Sequence, residues 1–283
     1  MRIVIFGHLT RDIIPGGYTL GGPASYAAIA AHRLGAQVTV VTRANPDDAR
    51  HPAFADINVV NLSSPYTTTF QNFYQASSAH GSGTRLQQVR VVAAPIFVHD
   101  VPAGVCEADV ALLAPVCQEI DPAIAPRLDA IVGCVPQGWM REWDQRGRVY
   151  AVPWLSARRL LPYLDIVALS QPDMAADPDF LTTLTGAVPV VALTQGDAGC
   201  TVYTGSQIHT ITSRPATEVD ATGAGDVFSA AFLVRLWESK DPLEAAYFAN
   251  VAASLSVEAS GVEGIPHRAD VEAYLRQYPL PGV

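Results

Sequence analysis

Asp220-Ala221-Thr222-Gly223-Ala224-Gly225-Asp226-Val227-Phe228-Ser229-Ala230-Ala231-Phe232-Leu233 follows the extended run Thr217-Glu218-Val219 and is the most informative stretch of the chain. From Val227 the apolar residues Val227, Ala230, Ala231 and Val234 recur at i, i+3, i+4 and i+7, the stripe of a helix packed on a core. The glycines therefore sit at a helix N-terminus. There the first amides lack intrahelical acceptors and the macrodipole is positive, so an anion is stabilised without a lysine. Gly223 and Gly225 let the backbone approach it closely. A carboxylate at Asp226 is unwelcome beside that anion unless it acts on the incoming nucleophile, and accepting the proton of an attacking hydroxyl fits. The bland alternative is that Asp226 complements the dipole and the glycines make a tight turn.

Outward from this turn, Val- and Ile-rich segments at 3–6, 38–41, 110–113, 131–135, 166–169 and 188–193 alternate with helical patterns. The alternation predicts an α/β fold of three layers, a mostly parallel central sheet between helices. Pro23 after Gly21-Gly22 suits the first turn of a helix, which the Ala-rich stretch carries to a stop near Leu34-Gly35. Residues 66–92 break the pattern. Thr67-Thr68-Thr69-Phe70-Gln71-Asn72-Phe73-Tyr74 is strand-like, Ser77 to Gly83 supplies a turn, and 84–91 return as a second strand. The segment reads as a small β-flap, with 9–20 as a further part of it. It serves as a lid over a site or as a structural edge hairpin. One domain over 1–283 accommodates all of this.

Composition narrows the chemistry. The net charge of -9 argues against nucleic acid as a partner. No apolar run approaches the roughly 20 residues that span a bilayer, and the N-terminus reads as a core strand rather than a signal peptide. A cytoplasmic location without membrane attachment is the expectation. Cys106, Cys117, Cys134 and Cys200 form no C-x-x-C pair and lack histidines at metal-site spacing, which predicts buried free thiols. Lys240 is the only lysine, so the phosphate loop G-x-x-x-x-G-K-[ST] is impossible. Any phosphate must be held by backbone amides, arginines and metal.

The run from Asp220 to Asp226, D-x-T-G-A-G-D before a small-residue helix, resembles the signature of the ribokinase-like, or PfkB, carbohydrate kinases. The resemblance extends from the strand at Arg2 to the helix ending near Gly261. It implies a ribokinase-like fold and ATP- and Mg²⁺-dependent phosphorylation of a sugar or polyol hydroxyl. Asp226 would be the base, and the amides of Gly223, Ala224 and Gly225 the anion hole. Asp220 and Thr222 match residues that ligate a monovalent cation such as K⁺. Gly21, Gly22 and Asp12 match the turn and acid that hold the acceptor, although Asp12 by itself also reads as a solvated turn residue. Tyr26 stands where many sugar kinases have Asn, and with Phe70, Phe73 and Tyr74 it suggests a pocket that stacks on a ring, core packing being the alternative.

The Gly-Gly-Pro-Ala-Ser-Tyr run, the Thr-rich strand and Leu112-Leu113-Ala114-Pro115-Val116 look most like an inositol-kinase branch. Leu193-Thr194-Gln195-Gly196-Asp197-Ala198-Gly199-Cys200 matches the turn that contacts ATP, with Thr194, Gly196 and Gly199 as the implied contacts. Asn250 lies on an apolar helical stripe; the resemblance places it against adenine, and a satisfied buried amide is the alternative. The family's N-x-x-E motif, tied to Mg²⁺, aligns with Ser170-Gln171-Pro172-Asp173, which keeps the acid at Asp173 and loses the amide. A homodimer is among the expected assemblies.

Two rivals remain at the level of sequence. A nucleoside kinase would stack a base on Tyr26 and the flap aromatics. A weakly catalytic sugar-binding regulator would account for the altered Ser170 to Asp173 segment. A dinucleotide-binding dehydrogenase is disfavoured, because Gly223-Ala224-Gly225 is followed by Asp-Val-Phe rather than x-x-Gly.

Overall fold

The computed structural model describes residues 1–74 and 85–280, with the side chains of Tyr74 and Arg85 left aside; the turn expected from Ser77 to Gly83 lies outside the described residues. All six segments singled out above enter one nine-stranded sheet. Its spatial order is Gln207–Ile211, Cys200–Thr204, Val190–Thr194, Ile166–Ser170, Ile131–Cys134, Val110–Leu113, Arg2–Phe6, Gln37–Thr42 and Asn58–Asn61. Seven strands pair in parallel from Val190–Thr194 to Asn58–Asn61, and an antiparallel hairpin completes the other edge. That hairpin and the short Asn58–Asn61 strand were not expected from the sequence.

The strands are apolar without alternation because both faces are covered. Ile3, Ile5, Val38, Val40, Leu112, Ala168 and Ala192 pack with the helices Pro23–Arg33, Ala224–Ser239 and Pro242–Ser256. Val4, Phe6, Val41, Leu113, Val167 and Val191 pack on the opposite side with Trp139, Trp154, Phe180 and Leu184. Cys117, Cys134 and Cys200 are buried free thiols, whereas Cys106 is half-buried.

The flap is larger than a hairpin. Gly17–Gly21, Thr10–Ile14, Thr68–Tyr74 and Arg85–Val91 form a separate four-stranded sheet in that order. Its centre is the parallel pairing of Thr10 with Thr68 and Asp12 with Phe70, which joins segments far apart in sequence. Side chains alternate across a sheet, so Asp12, Phe70, Asn72 and Gln87 share one face while Ile13, Tyr18, Phe73 and Leu86 share the other. Buried polar groups root this sheet. Neutral His8 lies between Thr68 Oγ1 at 2.8 Å and the Ala94 carbonyl at 3.0 Å, and burial holds its pKa down. Asp48 accepts from Arg11 at 2.8 Å and from the Thr67 hydroxyl.

Candidate active site

A cavity of about 790 Å³ opens at the carboxyl ends of the parallel strands, between the central sheet and the flap. Such crevices are where open α/β sheets bind ligands, because strand ends, loops and helix N-termini converge there. Its lining includes Asp12, Gly22, Tyr26, Asp173, Thr194, Gly196, Asp220, Thr222, Gly223, Ala224, Gly225 and Asp226, so most of the sequence-predicted site residues meet in one place. Gly21, Gly199 and Asn250 are not among the lining residues.

The turn at its floor has the geometry an anion needs. Gly223 adopts φ +78° just before the helix Ala224–Ser239, and its carbonyl accepts from the amides of Asp226 at 3.0 Å and Val227 at 2.9 Å. Among the described residues the amides of Gly223 and Gly225 have no protein acceptor, while that of Ala224 reaches Ala221 at a long 3.3 Å. Unpaired amides at a helix start form a cradle for a phosphoryl group. Nothing in the fold itself demands glycine at 225: a Cβ there would meet no atom within 4 Å. Its absence leaves room for a group that is not part of the chain.

Asp226 begins the same helix. Burial pushes its pKa up to about 7, Arg141 nearby opposes that rise, and the charge of Asp173 adds to it. A carboxyl poised near neutrality is suited to take and return a proton. Asp173 lines the wall 3.9 Å from Arg141, and its Oδ2 accepts from the Ser170 amide at 2.9 Å and hydroxyl at 2.6 Å. The altered segment thus forms a capped turn that fixes its acid in the cavity.

On the flap side, Asp12 faces the cavity with Phe70, and its Oδ1 accepts from Asn72 at 3.4 Å. Gly21 is required by that carboxylate, since a Cβ at Gly21 would lie 2.2 Å from Asp12 Oδ2. Ser25 donates to the Gly21 carbonyl at 2.6 Å and fixes the turn. Tyr26 is buried, with its ring packed against Gly223. Of the flap aromatics, Phe70 lines the cavity, whereas Phe73 is turned to the outer face and 40% exposed. The side chain of Tyr74 lies outside the described residues.

The remaining expected contacts serve the fold in this geometry. Gly199 is buried at φ +101°, and a Cβ would stand 2.0 Å from the Ile211 carbonyl, so the chain passes too closely for any side chain. Asn250 donates its amide to the Thr212 carbonyl at 3.1 Å and lies 3.5 Å from that of Ile211. Asp220 accepts from the Thr222 amide at 2.9 Å and the Gly261 amide at 3.0 Å, which ties the turn to the far end of the chain.

Sequence reasoning passed over Arg141, Gln137, Gln87 and Gln171, all on the cavity wall. Arg141 comes from a short hairpin, Arg141–Trp143 with Val149–Ala151, and its Nη1 reaches Gln87 on the flap at 3.4 Å. The available signal was indirect: a chain with one lysine must handle phosphate with an arginine.

Among the described residues, no group of three or more His, Cys, Asp and Glu side chains is arranged to hold a metal, and no helix is long and apolar enough to cross a membrane.

Comparison with known proteins agrees with this geometry. The model of the pfkB family carbohydrate kinases matches residues 171–268, which include the turn and Asp226. Inositol 3-kinase of Zea mays is 30% identical over 264 residues, 87% of this chain and 68% of that protein. Ribokinase of Bacillus subtilis is 49% identical over 84 residues, 29% of each chain. A solved pyrophosphate-dependent kinase of the ribokinase family, in complex with a pyrophosphate analog and myo-inositol, superposes with a TM-score of 0.79 at 22% identity, covering 96% of this chain and 99% of that one. With the similarity to the maize enzyme over 87% of this chain and the family match over the helix that follows Gly223, the chain belongs to the pfkB family of carbohydrate kinases.

Proposed function

We propose that this protein transfers the terminal phosphoryl group of a donor such as ATP to a hydroxyl of a cyclic polyol of the inositol class. One observation carries the reading: Asp226, raised to about 7, stands beside a cradle of unpaired amides in the same cavity as Asp12. Asp12 orients the acceptor through its hydroxyls. Gly223 and Gly225 hold the phosphoryl oxygens, where amides fixed in advance stabilise the charge that develops during transfer. Asp226 takes the hydroxyl proton as the acceptor oxygen bonds to phosphorus, and the bridging oxygen leaves with ADP. Arg141 supplies positive charge on the wall. The flap, through Phe70, Asn72 and Gln87, roofs the acceptor and excludes water.

Asp173 fits a role near Mg²⁺, because it is a fixed carboxylate on the cavity wall. With so few carboxylates at hand, the ion would take most of its ligands from phosphates and water, the usual arrangement for Mg²⁺. The metal would neutralise the donor's phosphates. A potassium ion at Asp220 and Thr222 would have to use lone pairs that Asp220 does not already give to amides.

The resemblance to inositol kinases, the maize relative and the myo-inositol-bound neighbour support a polyol acceptor. A nucleoside is disfavoured by Tyr26 packing on Gly223 and Phe73 turning outward, which among the described side chains of the expected set leave Phe70 to stack. The reading includes a cytoplasmic enzyme, and a homodimer in which a second copy covers Ile13, Tyr18 and Phe73 on the outer flap face.

The test is a coupled ADP-release assay with MgATP across myo-inositol, hexoses and nucleosides, with the product identified by mass spectrometry. Phosphorylation of myo-inositol with the highest kcat/KM is expected. No phosphorylated product from any acceptor by a folded protein would end the kinase reading.

A further inference from the structure

The half of the cavity that faces away from the flap is bounded by a hydrogen-bonded seam. A donor whose terminal phosphate rests on Gly223 and Gly225 extends toward the rim formed by Gln171, Thr194, Gln195, Gly196 and Val219. Beyond that rim the chain is sewn shut. The segment from Thr212 to Asp220 runs along the end of the helix Pro242–Ser256 and is joined to it at successive points. Asn250 donates to the Thr212 carbonyl at 3.1 Å, and Arg214 donates to the Ser254 carbonyl at 3.2 Å and pairs with Glu258 at 2.6 Å. The amides of Val219 and Asp220 both reach the Val257 carbonyl, at 2.8 and 3.1 Å.

A flat base entering this seam would break those contacts, and the buried Asn250 amide would lose its acceptor at a cost of about 1–3 kcal/mol. Among the described residues both aromatic rings that line the cavity, Tyr26 and Phe70, stand on the acceptor side, and the rim offers a base only the exposed side chain of Val219. Beside the carboxylates of Asp173, Glu218 and Asp220, the wall presents Gln137, Arg141, Gln171, Thr194 and Gln195, groups suited to phosphate oxygens.

We propose that the donor site reads a phosphoanhydride chain and leaves the nucleoside outside, so that nucleoside triphosphates of any base and inorganic tripolyphosphate all serve as donors. The inference rests on the kinase reading above and concerns its donor alone. The reaction is the same for each: the acceptor oxygen bonds to the terminal phosphorus, the bond from that phosphorus to the bridging oxygen breaks, and the proton goes to Asp226. The leaving group is a nucleoside diphosphate from a triphosphate and pyrophosphate from tripolyphosphate.

The experiment measures phosphorylated product from myo-inositol, in Mg²⁺, with ATP, GTP, CTP and tripolyphosphate. A site that hydrogen-bonds a base rejects the wrong one by about 10⁴-fold, whereas a site that ignores it leaves kcat/KM within about fivefold. The second result is expected for ATP, GTP and CTP, together with product from tripolyphosphate. Arg141→Gln should lower kcat/KM for all four donors by a common factor, since its contact is to phosphate. Turnover confined to ATP, or a loss in Arg141→Gln confined to ATP, would overturn the donor assignment and leave the kinase reading intact. No product from any donor would remove both.

Discussion

The ring of Tyr26 lies against the backbone of Gly223 so closely that a Cβ added to Gly223 would sit 2.2 Å from Tyr26 Cδ1. This contact joins the helix that follows the turn Gly21-Gly22 to the turn of unpaired amides before the helix Ala224–Ser239. Gly223 is thus constrained twice, by φ +78° and by the ring. Gly223→Ala should cost about 2 kcal/mol or more, from left-handed strain and overpacking together. Chemical denaturation with and without Tyr26→Ala provides the check. In that double-mutant cycle the alanine should cost less once the ring is gone, and simple additivity would deny the contact its role.

Asp226→Asn preserves shape and removes the carboxylate proposed as the base. A loss of about two to four orders of magnitude in kcat is expected, with a folded protein. For the wild type, kcat/KM should rise with pH through about 7 as the carboxyl ionises.

Stability provides a separate reading of the same residue. Because its pKa rises from 3.8 to about 7 on folding, the native state holds the proton more tightly, and the resulting stabilisation is complete below about pH 4. It is lost as pH rises through about 7. Asp226→Asn does not titrate, so its stability relative to wild type should grow from pH 4 to pH 7 in paired melting curves. A gap independent of pH would mean that the carboxyl is not held in the interior.

Gly225→Ala separates the fold's needs from the ligand's. A Cβ there meets nothing in the protein, and alanine favours a helix over glycine by up to about 1 kcal/mol, so melting should be unchanged or slightly improved. The donor's KM should rise, because the methyl group intrudes where the phosphoryl group approaches. Unchanged donor kinetics would move the phosphate away from this amide.

Phe70 and Phe73 sit three residues apart on opposite faces of the flap. Phe70→Ala should raise KM for the acceptor and destabilise the protein by about 3–5 kcal/mol, as expected for a buried ring. Phe73→Ala should leave acceptor kinetics alone. Equal effects on KM from the two substitutions would contradict a one-sided roof.

The chain's own sequence determined the central sheet and the phosphate turn, because both arise from local physics. Strands such as 3–6 and 166–169 lie between two layers of helices, so they are apolar throughout and recognisable in isolation. The cradle at Gly223 to Gly225 follows from a helix start, whose unpaired amides are a property of a few consecutive residues. Tertiary structure decided the rest. The flap is a four-stranded sheet because Thr10 pairs with Thr68 across nearly sixty residues, and its weakly apolar inner strands carry little pattern to announce such a partner. Asn250 on an apolar stripe announced that it needed hydrogen-bond partners, and only packing brought the Thr212 carbonyl to its Nδ2. Arg141 had no periodicity to mark it, since an arginine in a three-residue strand acquires its role from the charges that a distant helix brings beside it.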